Sequence, residues 1–196
     1  NNGAGTDFTM NGDLTVEGEL ILTNASTHAG MTAGNTNFLA GSTYRHRFTT
    51  TQGVLPLATW NIDSRVSIEG YTSTFTANAG GNWNQNFGNF TWNCTSQTGT
   101  AILAGLLTSV NTFEVLSTGS NILRLSVNQN PTITIAGNVE IGGTSRVEFS
   151  TTGTNTVVDV AGDFIFNSTN ASGTRSLLVT TGTCVVNIAG NFSMNA

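Results

Sequence analysis

Residues 132–141 read TITIAGNVEI, residues 157–166 read VVDVAGDFIF and residues 185–194 read VVNIAGNFSM. Each segment has a short β-rich run, then Ala-Gly, then Asn or Asp, then a large apolar residue and a second short run. The glycines at the centre are Gly137, Gly162 and Gly190, spaced 25 and 28 residues apart. A period in this range, built from short strands with no helical pattern, is the signature of a β-solenoid.

One coil can be traced outward from the first copy. Thr132–Ile135 is a first strand, Ala136-Gly137-Asn138 a corner and Val139–Ile141 a second strand. Gly142–Ser145 turns the chain into a third strand, Arg146–Phe149, and Ser150–Asn155 returns it. The next coil starts at Val157 and has its third strand at Ser176–Val179; the variable residues Asn167–Arg175 take up its extra length. Period-two alternation places Ile133, Ile135, Val139, Ile141, Val147 and Phe149 inward, then Val158, Val160, Phe164, Phe166 and Leu178. The reading is all-β: a parallel β-helix (β-solenoid) of about seven coils, with three short strands per coil. At about 4.8 Å per coil the rod is roughly 35 Å long. The alternative is a β-sandwich or jelly roll, which does not require aligned corners at a fixed period. One solenoid domain spans residues 1–196 as a fragment of a longer chain, with irregular coils over 43–131 and the most regular over 132–196. Weaker copies of the corner read MNGDLTV around Gly12, FGNFTW around Gly88 and LAGLL around Gly105.

The corner residues have a structural reading. Glycine permits a bend forbidden to other side chains. The following Asn138, Asp163 and Asn191 stack along one edge as a hydrogen-bonded ladder. The set Gly137, Asn138, Gly162, Asp163, Gly190 and Asn191 is therefore a structural corner ladder.

Composition narrows the function. Only 9% of residues are charged, against about 25% in ordinary soluble domains. The basic residues are six arginines, and no lysine occurs. Thr, Asn, Ser and Gly supply strands and turns. A net charge of −5 argues against nucleic acid and against an anionic membrane surface. No apolar run is long enough to span a bilayer. The scarcity of charge and lack of lysine suit an inert extracellular rod.

The corners Ala136-Gly137-Asn138-Val139, Ala161-Gly162-Asp163-Phe164 and Ala189-Gly190-Asn191-Phe192 resemble repeat regions of very large secreted surface proteins of the Bacteroidetes. So do residues 87–94, FGNFTWNC, and 55–60, LPLATW. The resemblance runs from about Thr43 to Ala196. Proteins of that kind are typically exported by the type IX secretion system, carry a C-terminal sorting domain, and are often adhesin-like or of unknown function. The resemblance implies export, surface display and repeats, and it implies no catalytic residue. No sorting domain is visible, so it has been cleaved or the chain is an internal piece.

Chemistry-bearing groups are sparse. Asp13, Glu17 and Glu19 share parity and would share a strand face, as a solvated acidic stripe or an oxygen-ligand calcium site. Asp159 and Asp163 flank one corner without a second carboxyl set across a cleft, as acid–base work requires. Tyr44-Arg45-His46-Arg47 is the only basic cluster. With Trp83 it forms the candidate glycan contact: Arg45, His46, Arg47 and Trp83, the histidine being read as a surface residue. Trp60, Trp83, Trp92 and Tyr71 are otherwise core-filling aromatics. No catalytic residue, metal site or cofactor is assigned. A flat Thr-x-Thr array, the mark of an ice-binding solenoid, is not repeated from coil to coil. Cys94 and Cys184 lie three to four coils apart, beyond disulfide reach, and are expected as two buried free thiols. The expectation is a non-enzymatic structural or adhesive segment at the cell surface. Its partners are other segments of the same protein, a second copy, or surface glycans. The runner-up is a carbohydrate-binding or polysaccharide-degrading β-helix.

Overall fold

The computed structural model describes residues 8–24, 28–151, 155–169, 177–179 and 182–195. Among them every strand pairing is parallel. The chain is an all-β solenoid of about seven turns. A sandwich is built from antiparallel sheets, so the pairing removes that alternative. No helix among the described residues is long and apolar enough to cross a membrane.

Each face of the solenoid is a sheet running along the rod. The main sheet stacks Glu19–Thr23, Thr43–Arg47, Arg65–Glu69, Asn86–Asn93 and Ser109–Ser117 in order. Above them each level is split by the Ala-Gly corner into two strands: Thr132–Ile135 with Val139–Thr144, Asn155–Val160 with Phe164–Phe166, and Thr183–Ile188 with Phe192–Met194. The second sheet stacks Phe75–Thr76, Ala101–Ile102, Leu123–Arg124, Val147–Ser150 and Leu177–Val179. A third, short sheet joins Leu14–Val16, Thr36–Phe38 and Thr59–Trp60. Its inward column is carried on by Phe87, whose ring centroid lies 5.4 Å from that of Trp60, and then by Val110, Ile135, Val160 and Ile188.

The register makes the interior a set of columns. Leu20, Tyr44, Val66, Phe90, Phe113, Val139, Phe164 and Phe192 occupy one column, level upon level. Leu22, His46, Ile68, Trp92, Val115, Ile141, Phe166 and Met194 occupy the next. One coil is a ring of chain with a single inward surface, and only its neighbours above and below can cover that surface. Where they do, each large apolar side chain contributes about 1.5–3 kcal/mol. Aromatic rings stack between levels as well, with Phe38 on Trp60 at 4.1 Å and Phe90 on Phe113 at 6.0 Å.

The traced coil is observed with small shifts: its strands are Thr132–Ile135, Val139–Thr144 and Val147–Ser150, and the next begins at Asn155. The expected inward residues from Ile133 through Phe166 are buried. The next coil's third strand is Leu177–Val179, one residue shorter than expected, and its register pairs Leu177 with Val147 and Leu178 with Glu148. The inward place expected of the Leu178 side chain lies outside what is described, as do residues 170–176.

The corner glycines serve a different purpose from the one their residue type suggests. Gly137, Gly162 and Gly190 are not among the residues with positive φ. They are there because successive corners nearly touch. The Gly162 N–H donates to the Gly137 carbonyl at 2.9 Å, and the Gly190 N–H to the Gly162 carbonyl at 3.1 Å. A Cβ at Gly162 would fall against Asn138 Oδ1 and within 2.7 Å of the Gly137 carbonyl carbon. Gly88 occupies the same column but lies inside a strand, where a Cβ would meet the Ser64 carbonyl oxygen at 2.5 Å. Gly12 and Gly105 are not corner copies. Gly12 lies in a bend with no described residue within 4 Å of a Cβ, and Gly105 takes φ +70 in a turn.

Replacement of Gly162 by Ala therefore tests close approach and not backbone strain. G162A is expected to lose about 1–3 kcal/mol to overpacking, while G18A, with no described residue within 4 Å, should leave stability within about 0.5 kcal/mol. Urea unfolding followed by circular dichroism measures both, and equal losses would contradict the inter-coil contact.

Candidate functional site

The candidate glycan cluster lies on strand Thr43–Arg47, and alternation splits it in two. Tyr44 and His46 point inward and are fully buried; Arg45 and Arg47 point outward. The two arginines are already engaged. The Arg45 guanidinium pairs with Glu19 on the level below and with Glu69 on the level above. Arg47 Nε donates to Glu69 Oε2 at 2.9 Å, and Ser67 Oγ donates to Glu69 Oε1 at 2.8 Å. Partial burial pushes the Glu69 carboxyl up, but the hydrogen bonds from Ser67, Arg47 and Arg45 outweigh it and leave it below the usual range. The pattern continues upward: Arg65 Nη1 donates to Thr91 Oγ1 at 2.5 Å and to Glu114 Oε2 at 3.0 Å. The outer face of the main sheet is thus an ionic ladder that ties coils together.

His46 corrects the surface reading. Its ring fills the inward column between Leu22 and Ile68. Nδ1 accepts from Tyr44 Oη at 2.7 Å, and Nε2 donates to the Gln52 carbonyl at 2.7 Å. Tyr71 Oη, 2.9 Å from Nε2, donates to the same carbonyl. Burial lowers the His46 pKa to about 4, so the ring is neutral at ordinary pH. Trp83 likewise is fully buried, with its ring 5.9 Å from His46 and 6.1 Å from Phe75. Its Nε1 has no hydrogen-bond partner among the described residues. Neither residue is available to a glycan. The signal that separates these roles is in the sequence: aromatic side chains at 44, 46 and 48 alternate with arginines at 45 and 47.

At the other end of the rod the corner residues form an edge of hydrogen bonds. Asn138 Oδ1 accepts the Asp163 N–H at 2.9 Å, and Asp163 Oδ1 accepts the Asn191 N–H at 2.7 Å and Asn191 Nδ2 at 3.1 Å. Asp159 stands in a separate outward column and accepts from Asn187 Nδ2 at 2.7 Å. The two aspartates thus hold the next coil. Just outside the corner runs an open groove of about 640 Å³. Thr134, Asp159 and Asn187 line one side and Ala136, Ala161 and Ala189 the other.

The remaining candidates separate. Glu17 follows the end of strand Leu14–Val16, and Glu19 begins the next strand, so Asp13, Glu17 and Glu19 do not share one strand face. Among the described residues no group of three or more His, Cys, Asp or Glu side chains is placed to hold a metal ion. Trp60, Trp92 and Tyr71 are core residues. Both cysteines are free; Cys94 is fully buried, whereas Cys184 is only half-buried, because it lies in the last described coil. Burial pushes the Cys94 thiol up to about 12, and raises Cys184 as well. Sequence reading gave no hint of Glu148, a fully buried carboxylate on the second sheet. It pairs with Arg124 through one oxygen, and its other oxygen has no partner among the described residues.

No family model matches the chain, and neither a curated protein nor a solved structure matches it.

The two thiols should differ in reactivity. In native protein at pH 8, iodoacetamide is expected to modify Cys184 well before Cys94, because the thiolate is the nucleophile and Cys94 is both inaccessible and protonated; peptide mass mapping reads the order. Equal rates would contradict the burial of Cys94. Separately, Trp83→Ala should cost about 3–5 kcal/mol as a core deletion, and Arg45→Ala about 1 kcal/mol or less as a partly exposed ion pair. Thermal unfolding of the two variants measures this, and a neutral W83A would remove that tryptophan from the core.

Proposed function

We propose that this chain is a non-enzymatic extracellular segment of an exported surface protein, serving as a structural and adhesive rod. The observation that carries the reading is the use made of the polar and aromatic side chains. Arg45, Arg47, Arg65, Asp159, Asp163 and Asn191 bond from one level to another, and the tryptophans fill the interior. Such a chain gives length and stiffness from few charges. The resemblance of the Ala-Gly-Asn corners to repeats of type IX secretion cargo in the Bacteroidetes supports export and surface display.

The proposed partners are further segments of the same protein, a second copy, or surface glycans. Phe192 and Met194, at 53% and 60% exposed, stand in columns whose members in the coil below, Phe164 and Phe166, are buried. Another coil laid on this level would cover them. A second reading, a carbohydrate-binding β-helix, has one observation in its favour. The groove carries a polar residue at each of its three levels, Thr134, Asp159 and Asn187.

Immobilised glycans, immobilised copies of the chain and a panel of soluble polysaccharides separate the readings. The structural and adhesive proposal expects binding to glycans or to itself and no change in polysaccharide chain length. Depolymerisation that Asp159→Asn abolishes would overturn it in favour of an enzyme. Glycan binding lost on Ala161→Trp, which fills the groove, would favour the carbohydrate-binding reading.

A further inference from the structure

The segment between strands Thr43–Arg47 and Thr59–Trp60 contains no strand of its own. It is fastened at both ends by ordinary bonds. The Thr49 N–H donates to Asn24 Oδ1 at 2.5 Å, and its carbonyl accepts from the Thr72 N–H at 2.9 Å. The Leu55 N–H donates to the Gly81 carbonyl at 3.1 Å. Between these points two histidines hold the backbone: His46 Nε2 at the Gln52 carbonyl, and His28 Nε2 at 3.0 Å from the Val54 carbonyl. The Gln52 side-chain oxygen accepts the Asn78 N–H at 2.9 Å. Gly53 lies directly over the His46 ring, at φ +62. A Cβ there would come within 2.7 Å of His46 Cε1 and of the Phe48 ring, so only glycine closes this cover. Outside it is a surface hollow of about 380 Å³ lined by Asn24, His28, Phe48 and residues 51–54.

We propose that residues 49–54 are an acid-released strap, closed over the neutral His46 ring and opened by its protonation while the coils above stay stacked. A proton on Nδ1 would displace the hydrogen that Tyr44 Oη now donates there, and would place a charge in a buried aromatic cluster. The titratable groups facing the ring are Tyr44 on its own strand, Tyr71 from the level above and His28 from the level below. His28 adds a like charge, and neither tyrosine can neutralise a cation in acid. The ring can be hydrated by lifting Gly53 away, which uncovers Phe48 and Trp83 beside it. In the closed state the His46 pKa lies below its value of about 6.5 in water. The stabilisation of the closed form is thus complete above about pH 6.5 and is lost progressively as pH falls toward about 4.

Amide hydrogen exchange by NMR on the full chain tests this, with rates corrected for the intrinsic pH dependence. Leu55 and Asn78 report on the strap; Phe113 and Val139, in the main sheet, are controls. The opening constant of the reporters is expected to rise up to tenfold per pH unit between about 6.5 and about 4, with the controls unchanged. His46→Gln, which keeps a side-chain N–H but cannot titrate, should abolish the slope, and His28→Gln should keep it. Should H46Q not fold, the wild-type comparison and H28Q still decide. Reporters that open together with the controls, reporters with no pH dependence, or a slope lost in H28Q would each overturn the proposal.

Discussion

Everything in this structure depends on one constraint: a coil has a single inward surface, and only the coils beside it can cover that surface. Parallel stacking answers it by bonding each strand to the strands above and below. A residue's identity is then set less by its neighbours in sequence than by the column it enters. The series Leu20, Tyr44, Val66, Phe90, Phe113, Val139, Phe164, Phe192 shows this. Volume varies along the column, but polarity hardly does. The outer columns follow the same geometry with opposite chemistry, so that Glu19, Arg45 and Glu69 meet across levels while far apart in the chain.

The same constraint explains a strongly polar place inside. His46 stands where the column asks for an apolar side chain. It is accommodated because each ring nitrogen has a partner, Tyr44 on one side and the Gln52 carbonyl on the other. Buried polar groups are tolerated when fully satisfied. The price is sensitivity to protonation, since a cation there would have no counter-charge among the groups that face it.

The upper coils were legible in the sequence because close inter-coil approach leaves a residue signature. Only glycine fits where corners touch, and Asn or Asp beside it reaches the next backbone N–H. That yields Gly137, Gly162 and Gly190 at a readable period. The lower coils turn by another means. Ser42 Oγ donates to the Leu39 carbonyl at 2.7 Å, and Ser64 Oγ to the Asn61 carbonyl at 2.7 Å. A buried serine three residues after the start of a corner does not resemble Ala-Gly-Asn, so the repeat looked weaker there than the columns are. The candidate glycan cluster divides for a related reason. Residues adjacent in sequence on a strand face opposite ways, which puts His46 in the core and Arg45 outside. Trp83 carried no such pattern; its burial comes from tertiary contacts with His46 and Phe75.

The central claim is that successive coils stack in register along one axis. Pulsed electron resonance between spin labels at Ile21 and Ile165 tests it most directly. These outward positions share one column and stand six levels apart. At about 4.8 Å per level, the labels should lie about 29 Å apart in a narrow distribution. A separation well away from that multiple, or a broad one, would mean that the coils do not stack in this register, and the account would fail.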